Sequence, residues 1–344
     1  MTQVGERLLE RDVSALLALA GRAVHPPAIE DCPGGGNNRV YRVVAGADEY
    51  IVKWYFSHPS DTRDRLHSEY SFLRYARSVG CRQVPAPLAS LPEHHLALYE
   101  FIPGRKLAAE EIDREHIDQA IRFIAALNGP QRRVAGLELP DASEARFSVA
   151  GHLDAIRGRV ERLSAVEGNA PEDDEARAVI AEIGALLGRH SAAVERDAPR
   201  HGIETSVDLA PESRCISPSD FGFHNVLVRP SGELCFLDFE YAGQDDPAKL
   251  INDFFWQPAV TVPGRFYDAF LEGCVRYSAE ADRLAARTRL LRPLFGIKWC
   301  CILLNEFLPA SARRRRFARP EADAPARKRA QLAKVRHLID SLSH

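Results

Sequence analysis

Between Cys215 and Pro247 the chain reads "CISPSDFGFHNVLVRPSGELCFLDFEYAGQDDP", with an acid, an amide five residues later and a second acid beyond a turn: Asp220, Asn225 and Asp238. Two carboxylates and a carboxamide offer hard oxygen ligands and a proton acceptor. The apolar runs "VLV" and "LCFLDF" flank the turn "RPSGE", so a hairpin brings Asn225 and Asp238 together. Magnesium takes hard oxygens and keeps several of its waters. Asn225 and Asp238 supply one amide oxygen and one carboxylate, which leaves Asp220 to accept a proton from an attacking hydroxyl. Singly these are turn formers and caps; as a set at this spacing they are specific.

Further upstream, Lys53 interrupts the apolar strand "YIVKW" and Glu69 lies in "HSEYSF". A strand lysine commonly snorkels to solvent, and a helical glutamate is commonly a solvated charge. Paired, they would fix one ammonium for a phosphate. Before them stands "PGGGNNRVYRV", in which Gly34, Gly35, Gly36 and Asn37 precede a strand. Such a loop lets backbone N–H groups approach phosphate oxygens, although an ordinary turn is built from the same residues.

The elements that must hold these groups follow from periodicity. "RVYRVVAG" and "EYIVKWYF" predict a hairpin about Gly46–Glu49. "DTRDRLHSEYSFLRYARSVG" predicts a helix with Leu66, Tyr70, Leu73 and Arg77 on one face, Ser60 or Asp61 as N-cap and Gly80 as stop. "HLALYEFI" is a strand ended by Pro103-Gly104. Beyond it the chain turns helical, with apolar stripes through Ile117, Ile121 and Ile124, through Val149, Leu153, Ile156, Val160 and Leu163, and through Val179, Ile183, Leu186 and Leu187. The expected division is a sheet-rich lobe over 1–103 and a larger helical lobe over 104–344, with a helical insert about 141–200 and a basic C-terminal segment.

A glycine-rich turn, strand Lys, helix Glu, strand closing at Pro-Gly, Asp-x4-Asn, hairpin and Asp-Phe, in that order, are the parts of phosphoryl transfer from ATP. The stretch "SDFGFHNVLV…LCFLDFEYAGQDDPAKLINDFF" resembles the catalytic segment of the aminoglycoside phosphotransferase and choline kinase superfamily, and "ALYEFIPGRKL" is similar to its hinge. "LDFEYAG" is nearer the choline and ethanolamine kinase form, "DDPAKLINDFF" the aminoglycoside form; the likeness covers Gly34 to Phe255. The resemblance implies an α+β, two-lobed, protein-kinase-like fold that uses ATP and Mg2+. It implies Asp220 as catalytic base, Asn225 and Asp238 as magnesium ligands, and Lys53, fixed by Glu69, on the α- and β-phosphates. The backbone from Glu100 to Ile102 would meet the adenine edge, and Asp253 would brace the catalytic loop. In one respect the sequence departs from the pattern: the family's histidine two residues before the base is here Pro218.

The acceptor implied is a hydroxyl on a small molecule: an aminoglycoside or aminocyclitol, a sugar, or a choline-like amino alcohol. No Ala-Pro-Glu stop follows Asp238, as an activation segment would require. Pro218 motivates the competing reading, a nucleotide-binding pseudokinase acting as a scaffold. The bulk properties fit a globular enzyme. The chain has 344 residues, 45% hydrophobic and 27% charged, and seven cysteines without metal spacing, which predicts reduced thiols and a cytoplasmic protein. The N-terminus predicts an amphipathic helix in place of a signal peptide, and no stretch reaches membrane-spanning length. Net charge is −3, but residues 312–336 hold ten Lys and Arg against two acids, about +8, which leaves about −11 on the remainder. An acidic body favours a cationic or amino-bearing acceptor. The basic segment is expected to fold onto that body, ahead of binding nucleic acid, because its last helix carries Leu332, Val335, Leu338 and Leu342.

Overall fold

The β-branched and aromatic runs near the N-terminus form an antiparallel sheet in the computed structural model, which describes residues 3–22, 26–32, 38–57, 63–129, 139–276, 278–308 and 324–342. After α1 (Gln3–Leu19) come β1 (Ala28–Asp31), β2 (Arg39–Ala45), β3 (Asp48–Trp54), α2 (Arg65–Ser78), β4 (Pro87–Leu91) and β5 (Leu96–Glu100), with sheet order β1-β2-β3-β5-β4. The β2–β3 hairpin turns at Gly46, which sits at φ 67°, with Ala45 paired to Asp48. One face of the sheet packs on α1: Leu9, Val13, Leu16 and Leu17 meet Tyr41, Val43, Tyr50, Val52 and Leu98.

The chain continues through β6 (Arg105–Lys106), α3 (Arg114–Asn128), α4 (Val149–Leu163), α5 (Pro171–Asp197), β7 (Cys215–Ser217), β8 (Val226–Val228) and β9 (Leu234–Phe236). It ends with α6 (Pro247–Trp256), α7 (Tyr267–Val275), α8 (Ala281–Leu304) and α9 (Ala324–Leu342). It divides into two compact units, Met1–Ser143 with Ile216–Gln244, and Glu144–Cys215 with Asp245–His344. Pro103-Gly104 lies inside the first unit, because β6 pairs with β8 and the Phe236 N–H donates to the Gln83 carbonyl at 2.8 Å. Gly104 is required there: a Cβ would lie 2.8 Å from the Val228 carbonyl oxygen.

Asp64, one turn later than expected, caps α2, its carboxylate accepting from the His67 N–H at 2.9 Å; Ser60 and Asp61 lie outside the described residues. The buried face of α2 is Leu66, Glu69, Phe72, Leu73 and Ala76, so the glutamate sits within the buried stripe. In the second unit α8 packs against α4, α5, α6, α7 and α9. The α9 stripe is covered, with Leu332, Val335, Leu338 and Ile339 all buried. Its polar face meets the acids of α5: Lys328 with Asp173 at 2.6 Å, Arg329 with Glu172 at 2.7 Å and Arg336 with Glu182 at 2.7 Å. Arg313–Arg316 lie outside the described residues. No described helix is long and apolar enough to cross a membrane.

Candidate active site

The first unit contains a cavity of about 620 Å³ lined by Lys53, Glu69, Glu100, Ile102, Asp220, Asn225 and Asp238, together with Asn38, Lys106 and Glu240. Every described residue to which the sequence assigned nucleotide, metal or base chemistry thus borders one space. Gly34, Gly35, Gly36 and Asn37 lie outside the described residues.

What aims the chemical groups is the burial of their neighbours. Phe221, Phe223, Val226, Phe236 and Phe239 are all at most 3% exposed. Phe239 stacks on Phe72 of α2 at 4.5 Å between ring centroids, and Phe236 on Phe123 of α3 at 4.3 Å. With these rings fixed, the adjoining Asp220, Asn225 and Asp238 are turned outward. The hairpin register completes the arrangement. Val226 pairs with Phe236, and one step further the Leu237 N–H donates to the Asn225 carbonyl at 2.8 Å. Gln119 of α3 grips the turn, accepting from the Leu234 N–H at 2.8 Å and donating to the Gly232 carbonyl at 3.2 Å.

Lys53 Nζ donates to Glu69 Oε1 at 2.7 Å and Oε2 at 3.0 Å, and to Asp238 Oδ1 at 3.2 Å. Burial alone would lower the ammonium's pKa; the carboxylates of Asp238 and Glu69 outweigh it and raise the pKa above the ordinary lysine value. The lysine is therefore a fixed cation. Sequence reasoning missed what fixes Glu69 in turn: the Tyr55 hydroxyl donates to Oε2 at 2.7 Å and is itself 2.7 Å from the Tyr99 hydroxyl. It also missed a second acid, Glu240, which accepts from Asn38 Nδ2 at 2.7 Å and lies 3.4 Å from Arg65 Nε. Its signal was present in "LDFEYAG", two residues beyond Asp238.

Asp238 has φ 67° and Ser219, beside Asp220, φ 66°. Left-handed backbone at a residue other than glycine costs on the order of 1–2 kcal/mol. Asn225 Nδ2 donates to the Asp220 carbonyl at 3.1 Å, which leaves its amide oxygen as the free end. Asp238 uses Oδ1 for Lys53, and Oδ2 has no partner among the described residues. Among the described residues no group of three or more His, Cys, Asp or Glu could hold a metal by itself. One carboxylate and one amide oxygen fit a magnesium ion that keeps waters and shares its shell with phosphates. At the strand end, Glu100 is fixed twice to Ala86, by N–H to carbonyl at 3.0 Å and by carboxylate to N–H at 3.0 Å. Asp253 accepts from Lys298 Nζ at 2.6 Å and Trp299 Nε1 at 2.9 Å; these are the bonds that hold it.

Among solved structures, the choline kinase LicA from Streptococcus pneumoniae is 14% identical, with 99% of each chain covered and a TM-score of 0.59. Ethanolamine kinase of Plasmodium vivax is 12% identical, covering 96% of this chain and 88% of its own, with a TM-score of 0.58. The AMP-bound spectinomycin phosphotransferase APH(9)-Ia is 14% identical over 93% of this chain and 98% of its own, with a TM-score of 0.54. The likeness is of fold, a protein-kinase-like α+β fold. No curated protein sequence matches the chain. The model of the phosphotransferase enzyme family matches residues 28–273, from the first strand of the sheet through the Asp220 loop and hairpin to the helices beyond. With one match running through all the elements that border the cavity, the chain belongs to the phosphotransferase enzyme family.

Proposed function

We propose that this chain transfers the γ-phosphoryl group of ATP, with magnesium, to a hydroxyl of a small molecule. Residues 1–103 would serve as the nucleotide-binding lobe, and the acceptor would be taken up within 104–344. The observation that carries the reading is Lys53, held by Glu69 and Asp238 at the wall of a cavity that Asp220 and Asn225 also line. Magnesium-bound ATP supplies the transferable group and neutralises its charge. Lys53 offers a fixed cation to the α- and β-phosphates. Asn225 and Asp238 offer their free oxygens to the metal. The backbone of Glu100 and Ile102 offers hydrogen bonds to the adenine edge, and the glycines 34–36 with Asn37 would close over the phosphates. Asp220, its side chain 38% exposed, accepts the acceptor's proton.

Acceptors named for the structural relatives, choline, ethanolamine and spectinomycin, carry both a cationic nitrogen and a hydroxyl, which agrees with the excess of acidic charge outside the basic segment. A cytoplasmic location belongs to the same proposal and accords with the lack of metal or disulfide spacing among the cysteines. The decisive measurement is phosphate transfer from Mg-ATP to a panel of amino alcohols, aminocyclitols and sugars. Transfer to one of them with a KM that rises with salt is expected. Tight Mg-nucleotide binding without transfer to any of them would make the chain a scaffold of the pseudokinase kind.

A further inference from the structure

Pro218 stands where the related pattern has a histidine, so other groups must shape the loop that carries Asp220. The loop's own bonds are local: Ser219 N–H to Ser217 Oγ at 3.0 Å, Asp220 N–H to the Pro218 carbonyl at 2.9 Å, and Asn225 N–H to the Gly222 carbonyl at 3.1 Å. These bonds close the turn, and the buried rings of Phe221 and Phe223 anchor its apolar side. Two side chains do more. Lys106 on β6 lines the cavity, and its Nζ donates to the His224 carbonyl at 3.0 Å. The His224 ring turns back over the loop, with Nε2 3.3 Å from Asp220 Oδ1. Nδ1 of the same ring is buried and has no hydrogen-bond partner among the described residues. Among the described residues the ring's hydrogen-bonding contact is at Nε2 alone, and donation to the Asp220 carboxylate requires the tautomer with its proton there.

We propose that Lys106 and His224 are positioning residues for the base. Lys106 pins the loop to β6 through the His224 carbonyl, and the His224 imidazole steers the Asp220 carboxylate by donating from Nε2. The proposal rests on the reading of Asp220 as base. No bond is made or broken by either residue. Their effect is on orientation, for which a displacement of about 1 Å costs on the order of 10²-fold in rate. A contact of 3.3 Å before substrate binds is of the kind that tightens in the loaded site.

Two measurements on the full chain test this. With 15N-labelled histidine, the ring signals of His224 should report a fixed Nε2–H tautomer and should change in Asp220→Asn. Signals of freely exchanging tautomers that ignore Asp220→Asn overturn the proposal, whatever the activity. In phosphate transfer from Mg-ATP to choline, ethanolamine and spectinomycin, His224→Leu should lower kcat about 10- to 100-fold and leave KM for ATP unchanged. His224→Gln, whose amide nitrogen reaches the Nε2 position, should recover most of that loss, and His224→Leu should add nothing in an Asp220→Asn background. Lys106→Met should lower kcat in the same way; a raised KM for ATP with kcat intact would instead make Lys106 a nucleotide contact and overturn its part. Wild-type turnover with His224→Leu fully active defeats the positioning role alone. A wild type that transfers to none of the full panel of amino alcohols, aminocyclitols and sugars defeats the kinase reading, and the positioning role with it.

Discussion

Lysines meet paired carboxylates in both units of the chain, and the two settings differ in what is left over. In the first, Lys53 joins Glu69 and Asp238, and the Asp238 side chain is 42% exposed with one oxygen to spare. In the second, Lys249 and Lys298 share Asp245 and Asp253, while Asp246 is taken by Arg287 at 2.6 Å and His152 at 3.0 Å. There Asp245 and Asp246 are fully buried, and Asp246 also caps α6, accepting from the Ala248 N–H at 2.8 Å. In the second, closed network the acids spend their oxygens on buried partners, which leaves few acceptors for a ligand. An open one keeps an acceptor in reserve. Residue type is the same in both; the number of unfilled valences separates chemistry from scaffold.

Exchanging charge for amide in each network should therefore give opposite signatures. The largest effect is expected at the open one and its neighbour. Asp220→Asn should cost on the order of 10²–10⁴ in turnover while Mg-nucleotide binding, followed by calorimetry, persists. Asp238→Asn should lose magnesium-dependent nucleotide affinity along with turnover. The reverse pattern, nucleotide lost with Asp220→Asn and kept with Asp238→Asn, would exchange the two roles. At the closed network, Asp246→Asn leaves Arg287 without its counter-charge, and breaking such a buried pair costs about 3–5 kcal/mol. Urea unfolding should register that loss, with KM of the folded fraction unchanged; an altered KM would mean the network is not closed after all.

Acid sharpens the contrast. Burial opposes the Asp246 charge, but Arg287 and His152 outweigh it and hold its pKa at about 2, below the ordinary aspartate value. Its contribution is present above the unfolded pKa and is lost as pH falls from about 4 through 2, on the order of 2 kcal/mol. Asp245, whose pKa burial raises, works in the opposite direction. Stability of wild type minus that of Asp246→Asn, measured across this range, should isolate the term; a flat difference would show that Asp246 is not held as an anion. The smallest effect belongs to ion pairs that are open on every side. Arg336 and Glu182 are 42% and 45% exposed, and Arg336→Ala should change stability by less than about 1 kcal/mol, least of all in high salt.

Much of this site was legible because its chemistry is written in residue types. An acid, an amide and an acid about a hairpin, with a strand lysine and a helical glutamate before them, are the groups that border the cavity. What escaped was the support, because support depends on register across distant segments. Tyr55 and Tyr99 come together only when β3 and β5 pair, and Asn38 finds Glu240 across 202 positions. Lys106, beside Pro103-Gly104, carries no signal of its own in the sequence; its contact with the His224 carbonyl exists only because β6 lies against β8. That the basic tail folds onto the acidic body was legible from the α9 stripe; which acids it meets, those of α5, was not.

The backbone at Asp238 narrows what inheritance can do there. Its φ of 67° disfavours most side chains, β-branched and bulky ones above all, and favours glycine, asparagine and aspartate. Of these, glycine has no oxygen and asparagine no charge. Two independent preferences, one steric and one ionic, thus converge on aspartate. A library randomised at this codon and selected for folding should return a small set of residues; selected for phosphate transfer, it should return aspartate.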